Sequence, residues 1–325
     1  MIFVTKILML QLFSLVFATV GWLLDLILGE PRRWHPLIGF GHCANYLEHR
    51  FNRCSLSAVS KGAGFLCWCG LVLPIPLSLL LAHWYWPWTI LADPILVYLC
   101  IGHKSLVQHA LAVAAPLQKQ QLDEARKQCA KMVSRDTDSL SGQEISRAVC
   151  ESVLENSHDA VTASLFYAAI GGAPLAILHR LSNTLDAMWG YRNQRFINFG
   201  WFAARVDDWL GWPSAKLTAL LFSLAPGQKV PFTKVAQQAK HYKSLNGGWV
   251  MAAGAFKLRL QLGGSSSYFG RYQSSTYLGA GRQATVNDIF RIIQLVKCSV
   301  KRLLLGLILL NSLLLVIFYY SMLVI

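Results

Sequence analysis

Apolar runs of membrane length stand near both ends of this chain, at residues 7–28 after a single Lys6 and at 303–325. In hydrocarbon every backbone N–H and C=O must be paired within the segment, so such runs admit helices and little else. Residues 62–82 and 88–102 are similarly apolar, and 160–177 and 217–225 add two shorter stretches. Only 14% of the 325 residues are charged and 54% are hydrophobic, against about 25% charged in soluble domains. The expected fold is an all-α polytopic integral membrane protein. It has about four to six hydrophobic helices joined by cytoplasmic helical and loop excursions.

Residues 7–28 lack a convincing small-residue cleavage site, so they read as a retained transmembrane helix. The net charge of +14 is first a topology signal. Lys and Arg favour 30–61, 117–150 and 226–302 as cytoplasmic, which places the amino terminus outside. Nucleic acid is not an expected partner, because no basic stretch carries interleaved aromatics. Trp84, Tyr85, Trp86 and Trp88 read as an interfacial belt. The eight cysteines show no C-x-x-C spacing and read as buried small hydrophobes. The chain reads as one membrane-embedded domain over 1–325, with amino-terminal helices (1–116), a polar-cluster core (117–225), a cytoplasmic segment (226–302) and a last transmembrane helix (303–325). Within it, 42–61 is expected to be a short surface helix, 117–133 an amphipathic one, and the Gly/Ser/Tyr-rich 263–282 a loop region.

Polar groups concentrate between Arg135 and Asp208, where they are expensive beside membrane-length segments unless they line a cavity or a wet surface. At helical spacing Glu151, Glu155 and Asp159 share one face. They are either a solvated face or hard oxygen ligands for a divalent cation such as magnesium. Asn183 and Asp186 share another, and Gly190 then stops the helix before Tyr191 and Arg192, with Arg195 following. Arginines placed there can present forks to phosphate or carboxylate, unless they form only a basic juxtamembrane loop. Ser141 and Glu144 make a capping box, and Thr285 and Asp288 a helix cap, so both acids read as structural. His241-x2-Ser244-x-Asn246-Gly247-Gly248 reads as a turn whose amides can cradle an anion, or as a plain surface turn.

These strings together resemble the CobD/CbiB family of cobalamin biosynthesis, the adenosylcobinamide-phosphate synthases. The likeness lies in Glu155-Asn156-x2-Asp159, Asn183-Thr-Leu-Asp186-x-Met188-x-Gly190-Tyr191-Arg192, and Phe199-Gly200-Trp201-x2-Ala204-Arg205-x-Asp207-Asp208. It extends to Asp25-x3-Gly29-Glu30-Pro31-x3-His35-Pro36 and to the His241 string. The chain departs from the family pattern at Ala160 and Ser164, and lacks a proline after His241.

The resemblance implies ATP-dependent amide formation between adenosylcobyric acid and aminopropanol or its phosphate. A carboxylate is a poor acyl donor, so such chemistry needs ATP as co-substrate, Mg2+ on its phosphates, cations against developing charge and a base for the amine. Glu151, Glu155, Asp159, Asp186 and His35 are the catalytic candidates, with Glu155, Asp159 and Asp186 as metal candidates. Arg192, Arg195, Arg205, Asn183, Tyr191, His241, Ser244 and Asn246 are the substrate and phosphate candidates, with Asp207 and Asp208 in the second rank. Implied partners are the corrinoid, the aminoalcohol, the lipid bilayer and other cobalamin-assembly enzymes, at the plasma membrane with a cytoplasmic active face. If 160–180 and 205–225 both crossed, the loop at 183–204 would face away from ATP, so they are expected to be buried or re-entrant. The rivals are a transporter, which shows no inverted repeat of hydrophobic segments, and an AmpE-like membrane sensor, which is expected to lack the Asn183 and His241 strings.

Overall fold

The structure, a computed structural model, describes residues 2–31, 35–53, 56–268 and 270–323. Arg32, Arg33 and Trp34 of the expected elbow, and Cys54, lie outside the described residues. The helices are α1 (Ile2–Leu28), α2 (Pro36–Phe51), α3 (Ser57–Val72), α4 (Pro74–Tyr85), α5 (Asp93–Tyr98), α6 (His103–Gln118) and α7 (Leu122–Cys129). They continue with α8 (Gly142–Ser157), α9 (Ala163–Trp189), α10 (Trp201–Ser223), α11 (Phe232–Lys240), α12 (Leu245–Leu258) and α13 (Val286–Leu323). The protein is a helical, multi-pass membrane protein. Among the described residues five stretches are long and apolar enough to cross: Gln11–Leu28, Ser57–Tyr85, Pro87–Gln118, Gly142–Trp189 and Val286–Ile317. Thus 160–180 falls inside a candidate span, whereas α10 does not meet that standard.

The chain forms two compact units. The first comprises residues 1–102, 159–211 and 304–325. Its hub is α9, against which α1, α2, α3, α4 and α5 pack. The buried face of α9 is rich in small residues, with Ala163, Ala168, Ala173 and Ala176 wholly inaccessible, which lets helix backbones approach closely. Lipid-facing side chains such as Leu66, Leu81 and Ile27 are exposed, as are Trp84, Tyr85, Trp86 and Trp88 at the end of α4. Pro74, at the first position of α4, separates it from α3.

A break interrupts α9 at Gly171 and Gly172, whose φ values are −148° and +67°. The positive φ at 172 favours glycine. At the break the Ala173 N–H and the Ala169 carbonyl are both taken by side chains, and Pro174 has no N–H to offer. Gln11 Nε2 donates to the Ala169 carbonyl at 2.6 Å, and Asp93 Oδ2 accepts from the Ala173 N–H at 2.9 Å.

The second unit comprises residues 103–158 and 212–303. In it α8 packs on α6, α7 and α12, and α11 packs on α12, around Ile145, Leu154, Met251, Leu260, Leu262 and Leu278. The Ser141–Glu144 box is formed on both sides. Thr285 and Asp288 close the start of α13, with Thr285 N–H donating to Asp288 Oδ2 at 2.9 Å.

Three local expectations change. Residues 42–61 are not one surface helix: the chain is helical to Phe51, breaks, and restarts at Ser57. The run expected as one helix over 117–133 is split between the end of α6 and α7, with a turn at Lys119–Gln121. The glycine-rich segment is not only loop. It forms β1 (Leu260–Gly263), β2 (Ser266–Tyr268), β3 (Arg271–Gln273), β4 (Tyr277–Gly279) and β5 (Arg282–Gln283). One sheet has the order β4-β1-β5, antiparallel then parallel, with Leu262 opposite Leu278. The other is the β2-β3 hairpin.

Candidate functional site

A five-residue π-helical turn, His158–Thr162, joins α8 to α9. Its extra residue rotates everything after it, so the single face expected for Glu151, Glu155 and Asp159 ends at Glu155. Asp159 is placed instead in the first unit, within electrostatic reach of Asp186 and Asp207. Asp186 lies near the end of α9, which stops at Gly190, and a side chain at 190 would strike its carboxylate. Asp207 and Asp208 come from α10, and Asn183 hydrogen-bonds the Asp207 carboxyl group.

The first unit thus gathers four carboxyl groups, from Asp159, Asp186, Asp207 and Asp208, with Asn183 beside them. Burial pushes the Asp207 carboxyl well above the usual carboxylate range, and the charges of Asp186 and Asp159 push it further. Asp208 is raised mainly by burial, opposed by the guanidinium groups of Arg205 and Arg192. These two arginines are exposed. Asp207, ranked low on sequence grounds, is the residue on which the three other carboxyl groups act. Its signal was a pair of acids next to Arg205 on an otherwise apolar helix.

Other candidates are engaged elsewhere. Arg195 is not free for phosphate: it makes a two-pronged contact with buried Glu48, Nε to Oε1 at 3.0 Å and Nη2 to Oε2 at 2.6 Å. His35 caps α2, its Nδ1 accepting from the Leu37 N–H at 3.2 Å. Burial holds its pKa below the ordinary value, with Arg180 adding to the effect against Glu30. An accepting, uncharged imidazole suits that cap. Tyr191 is exposed, with its ring 6.5 Å from that of Phe196.

In the second unit Glu151 is buried and committed. Arg135 Nη2 donates to Oε2 at 2.5 Å and the Gly263 N–H to Oε1 at 2.7 Å. Both oxygens of this catalytic candidate are thus already hydrogen-bonded within the second unit. Asn246, Gly247 and Gly248 form the first turn of α12, not a left-handed turn, and Ser244 caps it through the Gly247 N–H at 3.1 Å. Glycine is needed there for close approach: a β-carbon at 248 would lie 2.9 Å from Ala239 Cα, and one at 247 would lie 2.9 Å from Glu155 Oε1. Glu155, Ser244 and Asn246 are therefore neighbours around the start of α12. His241 is exposed, its Nδ1 2.9 Å from the Gln237 carbonyl.

Among the described residues no three His, Cys, Asp or Glu side chains are drawn together closely enough to hold a metal ion by themselves. Magnesium takes only one or two protein carboxylates, with water and phosphate oxygens completing its shell. A donor set of hard oxygens, crowded with like charge and flanked by two arginines, fits a magnesium ion carried on a phosphorylated substrate better than a closed protein cage.

Comparison with known proteins adds an independent line. The model of the family described as CobD/Cbib protein matches residues 18–296. The cobalamin biosynthesis protein CobD of Stutzerimonas stutzeri is 44% identical over 281 residues, covering 86% of this chain and 91% of that protein. That of Chromobacterium violaceum is 42% identical over 292 residues, covering 87% and 92%. The cobalamin biosynthesis protein CbiB of Salmonella arizonae is 31% identical over 297 residues, covering 85% and 91%. No solved structure gives a significant match.

Proposed function

This chain belongs to the CobD/CbiB protein family, and we propose that it is an ATP-dependent amide ligase. It joins aminopropanol or its phosphate to adenosylcobyric acid, giving adenosylcobinamide or its phosphate. The observation that carries this reading is the convergence of Asp159, Asp186, Asp207 and Asp208 with Asn183, Arg192 and Arg205 in one unit. The relatives' names place them in cobalamin biosynthesis, which supports a corrinoid as substrate.

Asp159 and Asp186 are the residues assigned to magnesium, which when bound supplies charge neutralisation on the phosphates of ATP. Arg192 and Arg205 are assigned to phosphate oxygens, since guanidinium forks match their geometry. Asp207 is assigned the proton. An amine is an ammonium ion at neutral pH, and a carboxylate with a raised pKa accepts its proton more readily than an ordinary one. Asn183 holds Asp207 in place, and Asp208 lies within electrostatic reach of the two arginines. The active face is assigned to the cytoplasmic side of the plasma membrane, where ATP is available.

The test uses the full chain in detergent with adenosylcobyric acid, ATP, magnesium and aminopropanol phosphate, following the corrinoid by mass spectrometry. The expected result is a mass gain equal to amide formation, absent without ATP and lost in Asp186→Ala. Folded protein that converts no corrinoid with any aminoalcohol overturns the reading.

A further inference from the structure

The break in α9 is held from both sides by residues that the proposed reaction does not use. Asp93 is wholly buried, and His83, also buried, lies with Nε2 3.2 Å from Asp93 Oδ1. The other carboxylate oxygen, Oδ2, accepts from the Ala173 N–H. Across the break Gln11 holds the Ala169 carbonyl. These are the two halves of one missing helical bond, satisfied by α1 on one side and α5 on the other. Only glycine fits at this break, because a β-carbon at 172 would sit 2.5 Å from Asp93 Oδ2 and 3.4 Å from Ser14 Oγ. A buried carboxylate beside membrane-length helices is costly unless it is paired. Here Asp93 occupies the start of the second half-helix, where broken transporter helices hold an anionic substrate.

We propose that Asp93, steadied by His83, and Gln11 form a latch that keeps α9 broken and so sets the direction of its second half, Ala173–Trp189, which carries Asn183 and Asp186. They are positioning residues, acting on the carboxylate cluster through the helix. The effect on turnover rests on the ligase reading above, but the latch itself does not.

The experiment therefore has two arms, run on the full chain in nanodiscs. One follows amide hydrogen exchange over 172–176 and the distance between spin labels at Val16 and Ala187, in a cysteine-free background. The other follows amide formation per folded molecule. In Asp93→Ala the exchange is expected to rise about tenfold and the label distance to shift. Turnover is expected to fall roughly tenfold or more at unchanged KM for the amine. Asp93→Asn keeps an oxygen for the Ala173 N–H and is expected to restore most of each. Gln11→Ala, on the other side of the break, is expected to move the same readouts and serves if Asp93→Ala does not fold. Unchanged exchange and distance in the folded variants overturn the latch. A shifted helix with unchanged turnover overturns the positioning role. A wild-type chain with no ligase activity overturns the functional reading alone, and exchange and distance still decide the latch.

Discussion

Arg195 and Glu48 meet as a guanidinium fork on a buried carboxylate, which Asn52 also holds at 2.8 Å. Burial pushes the Glu48 carboxyl up, but the hydrogen bonds from Arg195 and Asn52 outweigh it and hold the group below its ordinary value. Its contribution to stability is therefore present above the unfolded pKa and is lost as pH falls through the folded one. Arg195→Ala is expected to lower the thermal midpoint at pH 7, by a margin that narrows below pH about 4. Asp207 gives the opposite sign. Its raised carboxyl binds a proton more tightly in the folded chain, so folding is favoured at low pH and penalised as pH rises from the unfolded pKa through the folded one. Asp207→Asn is expected to be more stable than the parent at pH 7–8 and equal to it below pH about 4, while losing amide formation. Thermal unfolding across pH checks the first and corrinoid mass spectrometry the second. A variant with lowered stability at pH 8 would refute the crowding of like charge. The acids and arginines were all legible as candidates. That Arg195 answers Glu48 rather than a phosphate was not, because 147 positions separate the partners.

At the level of elements, local rules held where the interaction is local. The Ser141 cap and the Thr285 cap are formed within three residues, so spacing alone identifies them. Ser141→Ala is expected to cost about 1 kcal/mol, read as increased amide exchange over the first turn of α8 with turnover unchanged. Rules failed where neighbouring elements decide. Asn246-Gly247-Gly248 has turn chemistry, yet it is helical because α11 packs so closely that only glycine fits at 248. Residues 263–282 read as a loop region, but pairing of β1 with β4 and β5 makes a sheet from segments too short to declare themselves. The uniform helical period over Glu151, Glu155 and Asp159 was broken by the π turn. Gly190→Ala should report on this geometry: the added carbon strikes both the carboxylate and the backbone carbonyl of Asp186, so turnover is expected to fall by roughly tenfold or more and the thermal midpoint to drop with it.

At the scale of the whole molecule the positive charge of the loops predicts orientation. A cysteine placed at Asn193 is expected to resist a membrane-impermeant thiol reagent added outside intact cells and to react once they are opened. Labelling from outside would place the arginine loop on the wrong face for ATP. Loss of the gene is expected to leave cobinamide able to restore growth and cobyric acid unable to. The apolar runs by themselves determined a multi-pass helical protein, because backbone polarity leaves a spanning segment no other solution. The strings around Asp159, Asn183 and Asp207 likewise determined which residues to watch, because charges beside membrane helices are rarely idle. Which of them share one site was decided only in three dimensions. Like charges raise one another's pKa through space, opposite charges cancel through space, and the break in α9 is held by side chains from two other helices. Most of those partners lie far apart in sequence: Asp159 and Asp186 from Asp207, Arg195 from Glu48, and Gln11 and Asp93 from the break.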